Sequence, residues 1–238
     1  MKIALIGYGK MGKAIESIAI EQGHEIVLKI TSQNLNDLNN DQLQKADVAI
    51  EFTNPHSAVE NIKRCFDAQV PVICGSTGWY AQLDEVKEYC HQNNGALLYA
   101  SNFSIGVNIL FEINELLARL MKQHQSYHLS INEIHHTHKK DAPSGTAISL
   151  AEGIMNNNPH KTNWVLGSTE NNHEIGITSE RVDPAPGTHV VKYTSPIDDI
   201  EIKHTAHNRI GFATGALVAA EFLLGKKGVF TMKDVLNS

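Results

Sequence analysis

The residues best suited to chemistry lie in one run of fifteen, EIHHTHKKDAPSGTA, at positions 133–147. A histidine titrates near neutral pH, with an ordinary pKa of about 6.5, so His135, His136 or His138 could act as a general acid. Lys139 or Lys140 could supply the positive charge that an anionic ligand requires. The first half of the run therefore predicts proton transfer beside an anion.

The second half of the run predicts the start of a helix. Pro143 and Ser144 precede AISLAEGIM, in which apolar residues recur at helical spacing. The first N–H groups of a helix bind anions, and Gly145 has no side chain that would obstruct them. Together with the hydroxyl groups of Ser144 and Thr146, they would form a compact site for a carboxylate or a phosphate.

Two other interpretations of this run stay open at this point. His136 and His138 lie two residues apart and could ligate a metal from one strand face, but the sequence offers no matching third ligand, so we expect no metal. The run could also be a solvated face before a capped helix. In either case Asp141 is better explained as a cap or turn residue than as a catalytic base.

A second motif, GYGKMG at residues 7–12, has the G-x-G-x-x-G pattern and follows the apolar run KIALI. Between a strand and a helix, these glycines let the backbone turn sharply and approach a dinucleotide pyrophosphate. The ends of later predicted strands should complete the pocket, because ligands bind beyond the carboxyl edge of parallel sheets. The predicted cofactor contacts are Gly7, Tyr8, Gly9, Lys10, Met11, Gly12, Thr31, Ser32, Phe52, Gly75, Ser76, Thr77, Ala100, Ser101, Asn102 and Phe103.

The choice of cofactor depends on the end of the second predicted strand, where an acidic residue would bind the NAD ribose. Here that strand ends in Lys29, Ile30, Thr31 and Ser32, with no acid at its tip. We therefore expect NADPH to be used at least as well as NADH, unless Asp37 or another loop acid folds back.

The elements that position these motifs show two different sequence patterns, one in each half of the chain. In the first hundred residues, the short apolar runs KIALI, EIVLKI, DVAIEF, VPVIC and ALLYA alternate with helical or polar segments, which is typical of βαβ units. Later, a helix is predicted near residues 106–123, followed by strand-like alternation in YHLSINEIHHTH, THVVKYTS and IEIKHTA. The fold class is therefore α/β: a Rossmann-type doubly wound parallel sheet at residues 1–102 and 212–238, and an α+β substrate domain with a mixed sheet at residues 103–211.

Composition excludes several classes of protein. The formal net charge of −6 over 238 residues argues against a nucleic-acid binder. No apolar run approaches the roughly 20 residues of a membrane span, and MKIALIG is too short for a secretory signal, so we expect a cytoplasmic protein. Three widely spaced cysteines are expected to be reduced.

The run at residues 133–147 resembles the E-x-H-H-x-x-K-x-D-A-P-S-G-T-A signature of the 4-hydroxy-tetrahydrodipicolinate (dihydrodipicolinate) reductase family. The resemblance extends over nearly the whole chain through GYGKMG, EFTNP, GSTGW, ASNFSIGVN and IKHTAHNRIGFATGAL. The sequence departs from the family pattern at Thr31 and Ser32, where an acid is common. It departs again after Arg181, where VDPAPGTH replaces a loop with smaller side chains.

The resemblance implies an oxidoreductase that uses NADPH or NADH to reduce a cyclic, imine-like dicarboxylate, with loss of water, in the diaminopimelate route to lysine. It implies that His135 is the proton donor and Lys139 a second one. It further implies that His136, Gly145 and Thr146 hold the substrate carboxylates, with Ser144 beside them. Finally, it implies a homotetramer assembled through the substrate domain.

Two rival functions are also compatible with the nucleotide motif. One is a Rossmann-type sensor of the NADH level, which would need no proton donor beside an anion site. The other is an enzyme of the same type that acts on a different small oxo or imino acid.

Overall fold

The computed structural model describes residues 1–208 and 210–238, and internal contacts divide the chain into two units. Unit 1 comprises Met1–Ile105 and Ile210–Ser238, and unit 2 comprises Gly106–Arg209. The boundaries predicted from the sequence differ from these by a few residues. Arg209, within the run IKHTAHNRIGFATGAL, lies outside the described residues.

Unit 1 contains a six-stranded parallel sheet with the order β11-β5-β4-β3-β1-β2. Its strands are β1 (Lys2–Ile6), β2 (Glu25–Ile30), β3 (Val48–Glu51), β4 (Val72–Cys74), β5 (Ala96–Tyr99) and β11 (Gly228–Phe230). The five strands predicted in the first hundred residues are all present. The sixth, β11, was not predicted, because three residues after Gly225 carry too little pattern to distinguish a strand from a loop.

Helices cover both faces of this sheet, so the doubly wound prediction is confirmed. They are α1 (Lys10–Glu21), α2 (Asn40–Leu43), α3 (Pro55–Asp67), α4 (Leu83–Gln92), α7 (Ile210–Leu223) and α8 (Met232–Leu236). One apolar core forms beneath α2, α3 and α4, and a second forms beneath α1, α7 and α8. As predicted, the C-terminal α7 packs back on the first domain, against α1 and the central strands.

Unit 2 contains a mixed sheet, as predicted, whose five strands have the order β10-β9-β6-β8-β7. Strand β6 pairs in parallel with β8 and antiparallel with β9. Its elements are α5 (Ile105–Met121), β6 (His128–His135), α6 (Gly145–Asn157), β7 (Asn163–Leu166), β8 (Glu174–Arg181), β9 (Gly187–Thr194) and β10 (Asp199–Ala206). Strands β7 and β8 were not predicted, because β7 has only four residues and the apolar alternation of β8 stops after Ile177.

Helix α5 has the predicted helical spacing but buries fewer of its apolar residues than expected. Leu110 belongs to the core of unit 2. On the opposite face Ile109, Ile113, Leu116 and Leu120 are 43%, 45%, 50% and 62% exposed. The helix therefore carries two apolar stripes, and the chain itself buries only one of them.

None of the helices in the described part of the chain combines the length and the apolarity that a transmembrane span requires.

A close backbone contact in unit 1 yields a stability prediction. Gly215 is buried in α7, and a Cβ atom there would overlap the carbonyl oxygen of Phe103. We expect Gly215→Ala to lower the free energy of unfolding by about 3 kcal/mol, because the backbone cannot yield as a side chain can. Gly211→Ala in the same helix is the control, since its Cβ would meet Ser104 Oγ at 3.6 Å, and its effect should stay below about 1 kcal/mol. Urea denaturation measures both variants; equal stabilities would contradict the close contact.

Candidate active site

Strand β6 directs Glu133 and His135 to the same buried face of the unit 2 sheet. Side chains alternate along a strand, and the even spacing of Leu129, Ile131, Glu133 and His135 puts all four on the inner side. The strand ends at His135, so His136 lies beyond it and is half-buried. The two adjacent histidines are thus separated by the end of the strand, which allows them different roles.

Glu133 is the centre of the polar cluster and is fully buried. Its Oε1 accepts hydrogen bonds from the backbone N–H of Ser144 at 3.1 Å and from Nη2 of Arg181 at 3.0 Å. Its Oε2 lies 2.7 Å from Nδ1 of His135. Burial acts to raise the pKa of Glu133, but hydrogen bonds from His135, Ser144, Ser179 and Arg181 outweigh it and hold the pKa well below its usual range. Glu133 is therefore an anion at neutral pH.

The contact with Glu133 determines which ring nitrogen of His135 remains for other chemistry. A carboxylate oxygen 2.7 Å from Nδ1 favours placing the proton of the neutral ring on that nitrogen, an assignment that follows from proximity. Nε2 is then the ring nitrogen that remains for other chemistry. A Cβ atom on Gly187 would lie 3.0 Å from this Nε2, so a glycine at the start of β9 leaves room for the ring.

His189 joins this cluster although the sequence analysis did not identify it. It is buried, its Nε2 lies 3.0 Å from Ser144 Oγ, and its ring centroid lies 5.1 Å from that of His135. Burial lowers the pKa of His189 to about 4, and the electrostatic effect of the neighbouring His135 ring acts in the same direction, so His189 is neutral at physiological pH. A signal was present in the sequence, because His189 takes an inward position in the alternating run THVVKYTS. Glu133 has a corresponding inward position on β6, and the sequence analysis likewise gave it no role.

Ser144 begins helix α6 as its N-cap. Its Oγ accepts a hydrogen bond from the backbone N–H of Ala147 at 3.2 Å, and only 2% of the residue is exposed. Gly145 is exposed, and a Cβ atom built on it would meet nothing within 4 Å. Thr146 follows it in the first turn and is half-buried. The predicted helix start is present, with Ser144 supporting it and open space beside Gly145.

The side chain of Lys139 binds the carboxylate of Asp141, at 2.7 and 2.9 Å from its two oxygens. The hydrogen bond from Lys139 lowers the pKa of Asp141. Arg181 Nη2 also donates to the backbone carbonyl of Asp141 at 2.6 Å, so this arginine joins the turn to Glu133. Asp183, in the unusual loop after Arg181, binds both the N–H and the hydroxyl group of Thr137.

The potential metal ligands in the described ranges do not include the pair considered from the sequence. The group whose donor atoms lie within 4.8 Å of one another is Glu133, His135 and His189. Its atoms already contact one another or Ser144, and the guanidinium group of Arg181 lies on Glu133. A cation beside that guanidinium group would be repelled, so we interpret the group as a hydrogen-bonded cluster.

The glycine motif lies in unit 1, between β1 and α1. Gly7 has a φ of +97°, and a Cβ atom there would overlap the carbonyl group of Phe52. A Cβ atom on Gly12 would lie 2.5 Å from the carbonyl oxygen of Gly7. Gly9, by contrast, has no heavy atom within 4 Å of its built Cβ position, and it precedes α1 without a side-chain cap. The first and last glycines thus close the turn, while Gly9 leaves the helix start open.

A cavity of about 420 Å³ opens beside this turn. Its lining includes the predicted residues Gly7, Tyr8, Gly9, Thr31 and Ser32, together with Asn54, Ser57 and Asn61, which were not predicted. The last three belong to α3 or its N-cap, where polar side chains are too common to indicate a ligand.

The other predicted cofactor residues lie outside the cavity lining but near the same sheet edge. The Phe52 ring fills the space that a side chain on Gly75 would need, and it lies 5.7 Å from the Phe103 ring. Asn102, Phe103 and Ser76 are buried, so their side chains mainly support the edge. Lys10, Thr77 and Ser101 are exposed, and Met11 and Ala100 are half-buried.

The end of β2 carries no acid that reaches the cavity. Thr31 donates its N–H to Asn34 Oδ1 at 2.7 Å, and Asn34 Nδ2 donates to Asp37 Oδ2 at 3.0 Å. Asp37 is thereby held within the turn after β2 and does not line the cavity. Lys29 pairs with Glu16 at 2.5 Å.

The buried carboxylate of Glu133 predicts a pH-dependent contribution to stability. Because its pKa is lowered in the folded state, the contribution is complete above the unfolded pKa of about 4.3 and is lost as pH falls through the folded pKa. We expect Glu133→Gln to lower the free energy of unfolding by about 3 kcal/mol at neutral pH, and the deficit to shrink below about pH 4.3. Thermal unfolding across pH measures it, with the exposed Glu180→Gln as control. A deficit that does not change with pH would contradict the charged state of Glu133.

Two family models of known proteins match this chain. The family model described as "Dihydrodipicolinate reductase, N-terminus" matches residues 1–103, and "Dihydrodipicolinate reductase, C-terminus" matches residues 106–236. A 4-hydroxy-tetrahydrodipicolinate reductase of Christiangramia forsetii is 48% identical over 238 residues, which cover 100% of this chain and 98% of the relative. Another, from Methanoregula boonei, is 36% identical and covers 82% of this chain and 76% of the relative.

Among solved structures, a dipicolinate-bound dihydrodipicolinate reductase from Paenisporosarcina sp. TG-14 superimposes with a TM-score of 0.80, covering 97% of each chain at 23% identity. An aspartate dehydrogenase from Thermotoga maritima reaches a TM-score of 0.52 at 13% identity, covering 95% of this chain and 97% of its own. At these identities the two structures show the fold alone. The sequence relatives and family models show that the chain belongs to the dihydrodipicolinate reductase family, oxidoreductases that reduce 4-hydroxy-tetrahydrodipicolinate in lysine and diaminopimelate biosynthesis.

Proposed function

We propose that the Glu133 cluster is the proton-transfer and carboxylate-binding site for this reduction. The observation that carries the proposal is the buried Glu133 carboxylate 2.7 Å from His135 Nδ1. An anion at that nitrogen orients the ring and leaves Nε2 as the nitrogen available for proton transfer.

His135 and Lys139 divide the proton transfer in this proposal. The hydroxyl group of the substrate leaves as water, which makes the ring conjugated, and a bound reduced nicotinamide would supply a hydride to that ring. The electron pair displaced by that hydride requires a proton, which His135 delivers from Nε2. Lys139 is the second donor, and its pairing with Asp141 holds the ammonium group at the turn until an anionic substrate competes for it.

The substrate is a small dicarboxylate, and the start of α6 is the proposed seat of one carboxylate. The N–H groups of Gly145 and Thr146 lie in the first helical turn, where the helix dipole favours an anion. Open space beside Gly145 leaves room for the ligand. His136 lies next to His135 and provides a further donor, while Ser144 contributes indirectly by capping the helix.

The cavity beside the glycine turn is the proposed cofactor site. Gly7, Gly9 and Gly12 shape the pyrophosphate loop together with Tyr8, Lys10 and Met11, and Thr31 and Ser32 face the ribose end. Phe52, Gly75, Ser76, Thr77, Ala100, Ser101, Asn102 and Phe103 form the nicotinamide side of the same sheet edge. Because Thr31 and Ser32 are neutral and Asp37 is held in its own turn, either NADPH or NADH fits.

We also propose that the chain forms a homotetramer through unit 2. The exposed stripe of Ile109, Ile113, Leu116 and Leu120 on α5 supports an interface, since single chains seldom expose so continuous an apolar helix face. The cytoplasmic location stays a prediction from the sequence.

We expect His135→Ala to lower kcat by roughly 100- to 10,000-fold and to leave cofactor binding nearly unchanged, because only the proton donor is removed. The assay follows oxidation of the reduced nicotinamide while dihydrodipicolinate synthase makes the substrate from pyruvate and aspartate semialdehyde. His138→Ala, at an exposed neighbouring histidine, is the matched control. An unchanged kcat in His135→Ala would remove His135 from the mechanism.

Comparison of kcat/KM for the two cofactors tests the neutral ribose site. NADPH should be used at least as well as NADH, and Ser32→Asp should reduce kcat/KM for NADPH by about tenfold relative to NADH, because the new carboxylate repels the 2′-phosphate. A hundredfold preference for NADH in the unaltered protein would contradict this assignment.

Charge placed within the α5 stripe tests the assembly. Leu116→Glu should convert the tetramer into smaller species, as measured by size-exclusion chromatography with light scattering. Leu35→Glu, at a similarly exposed leucine of unit 1, should leave the mass unchanged. A tetramer that persists in Leu116→Glu would exclude this stripe from the interface.

A further inference from the structure

A polar cavity of about 170 Å³ in unit 2 lies at the opposite end of the elements that form the candidate active site. Met121 at the end of α5, Tyr127 just before β6 and Lys161 beyond α6 contribute to its lining. His135 is at the far end of β6, whose eight residues span about 26 Å. The cavity is therefore separate from the Glu133 cluster.

Lys161 in this cavity is a buried cation with no anionic partner among the residues that the structure describes. Only 8% of the residue is exposed. Its Nζ donates to the backbone carbonyl of Asn172 at 2.7 Å, and no carboxylate in the described ranges lies within 4.0 Å of it. Burial alone lowers its pKa, with no acidic side chain opposing that effect. A buried ammonium group in this situation is stabilised by whatever anion reaches it.

Tyr193 provides an independent indication of a ligand. Its ring belongs to the core of unit 2 and the residue is 2% exposed. Its hydroxyl group has no hydrogen-bond partner among the residues described, although Tyr193 lines the cavity. A buried hydroxyl group that lacks a partner costs free energy, and an acceptor in the cavity would remove that cost.

The other groups facing the cavity leave its charge positive. Lys122, His124, His160 and His173 line it, and no acidic residue of the described chain does. Asp198 approaches through Tyr127, whose hydroxyl group donates to it at 2.5 Å. The carbonyl ends of α5 and α6 add only partial negative charge, which the two lysine ammonium groups exceed.

We propose that this cavity binds a small oxyanion, with Lys161 Nζ and Tyr193 Oη as direct donors and Lys122 as a further positive charge. The volume of about 170 Å³ equals on the order of five water molecules, which suits a phosphate or a short carboxylate such as malonate. The site is independent of the catalytic proposal, since it uses none of the same residues.

Isothermal titration calorimetry with inorganic phosphate, and separately with malonate, at constant ionic strength tests the proposal. The nucleotide cavity and the start of α6 also attract anions. We therefore assign to the new site the component of the binding isotherm whose affinity falls in Lys161→Met and is unchanged in Lys139→Met. Lys203→Met controls for the loss of one exposed charge in unit 2. We expect Lys161→Met to weaken this component at least tenfold, and the nearly isosteric Tyr193→Phe to weaken it by about tenfold.

If Lys161→Met weakens the binding of phosphate but not of malonate, the result would support a phosphate-bearing ligand. If it weakens the binding of malonate but not of phosphate, the result would support a carboxylate ligand. If both anions bind wild-type protein and Lys161→Met equally, the proposal is overturned. The same holds if Tyr193→Phe, which keeps the core ring, binds as tightly as wild type. In that case Lys161 and Lys122 would serve only to neutralise the ends of α5 and α6.

Discussion

The candidate active site depends on one buried carboxylate. Glu133 is held as an anion by the Ser144 N–H group and by Arg181, and it in turn orients His135. Without that negative charge, the guanidinium group of Arg181 and the His135 ring would lose their shared partner inside the protein. The same carboxylate joins β6 to the start of α6, so it connects the proposed proton donor to the proposed carboxylate seat. Stability and chemistry therefore share one interaction.

Close contacts at three glycines give unit 1 a comparable constraint. Gly7, Gly75 and Gly215 lie where any side chain would overlap Phe52 or Phe103. These contacts bring the turn after β1, the end of β3 and the segment after β5 to one sheet edge. Gly9 and Gly145, by contrast, are among the glycines with open space, and each lies at the start of a long helix. Tight glycines thus shape unit 1, and these two open glycines lie where ligands are proposed to bind.

Helix α6 relates the two proposed anion sites of unit 2. Its start at Gly145 favours an anion through the helix dipole. Beyond its end the dipole does not favour an anion, and the proposed donors there are the side chains of Lys161 and Tyr193, with Lys122 as a further positive charge. The first site is proposed for the reaction and is open, and the second is small. The residues that form them do not overlap.

The local sequence pattern was sufficient to predict much of the fold of this protein. The helix start at Ser144, the glycine turn at residues 7–12, five strands of the first sheet and the mixed character of the second followed from residue types and spacing, because these depend on neighbours in the chain. The cluster around Glu133 did not follow. The pairing of β6 with β8 and β9 places Glu133 opposite Ser179 and His189 and His135 opposite Arg181, and this register joins residues about fifty positions apart. The exposed stripe on α5 and the unpartnered hydroxyl group of Tyr193 depend likewise on three-dimensional packing, since burial is a property of the folded chain and periodicity alone does not specify which apolar face is covered.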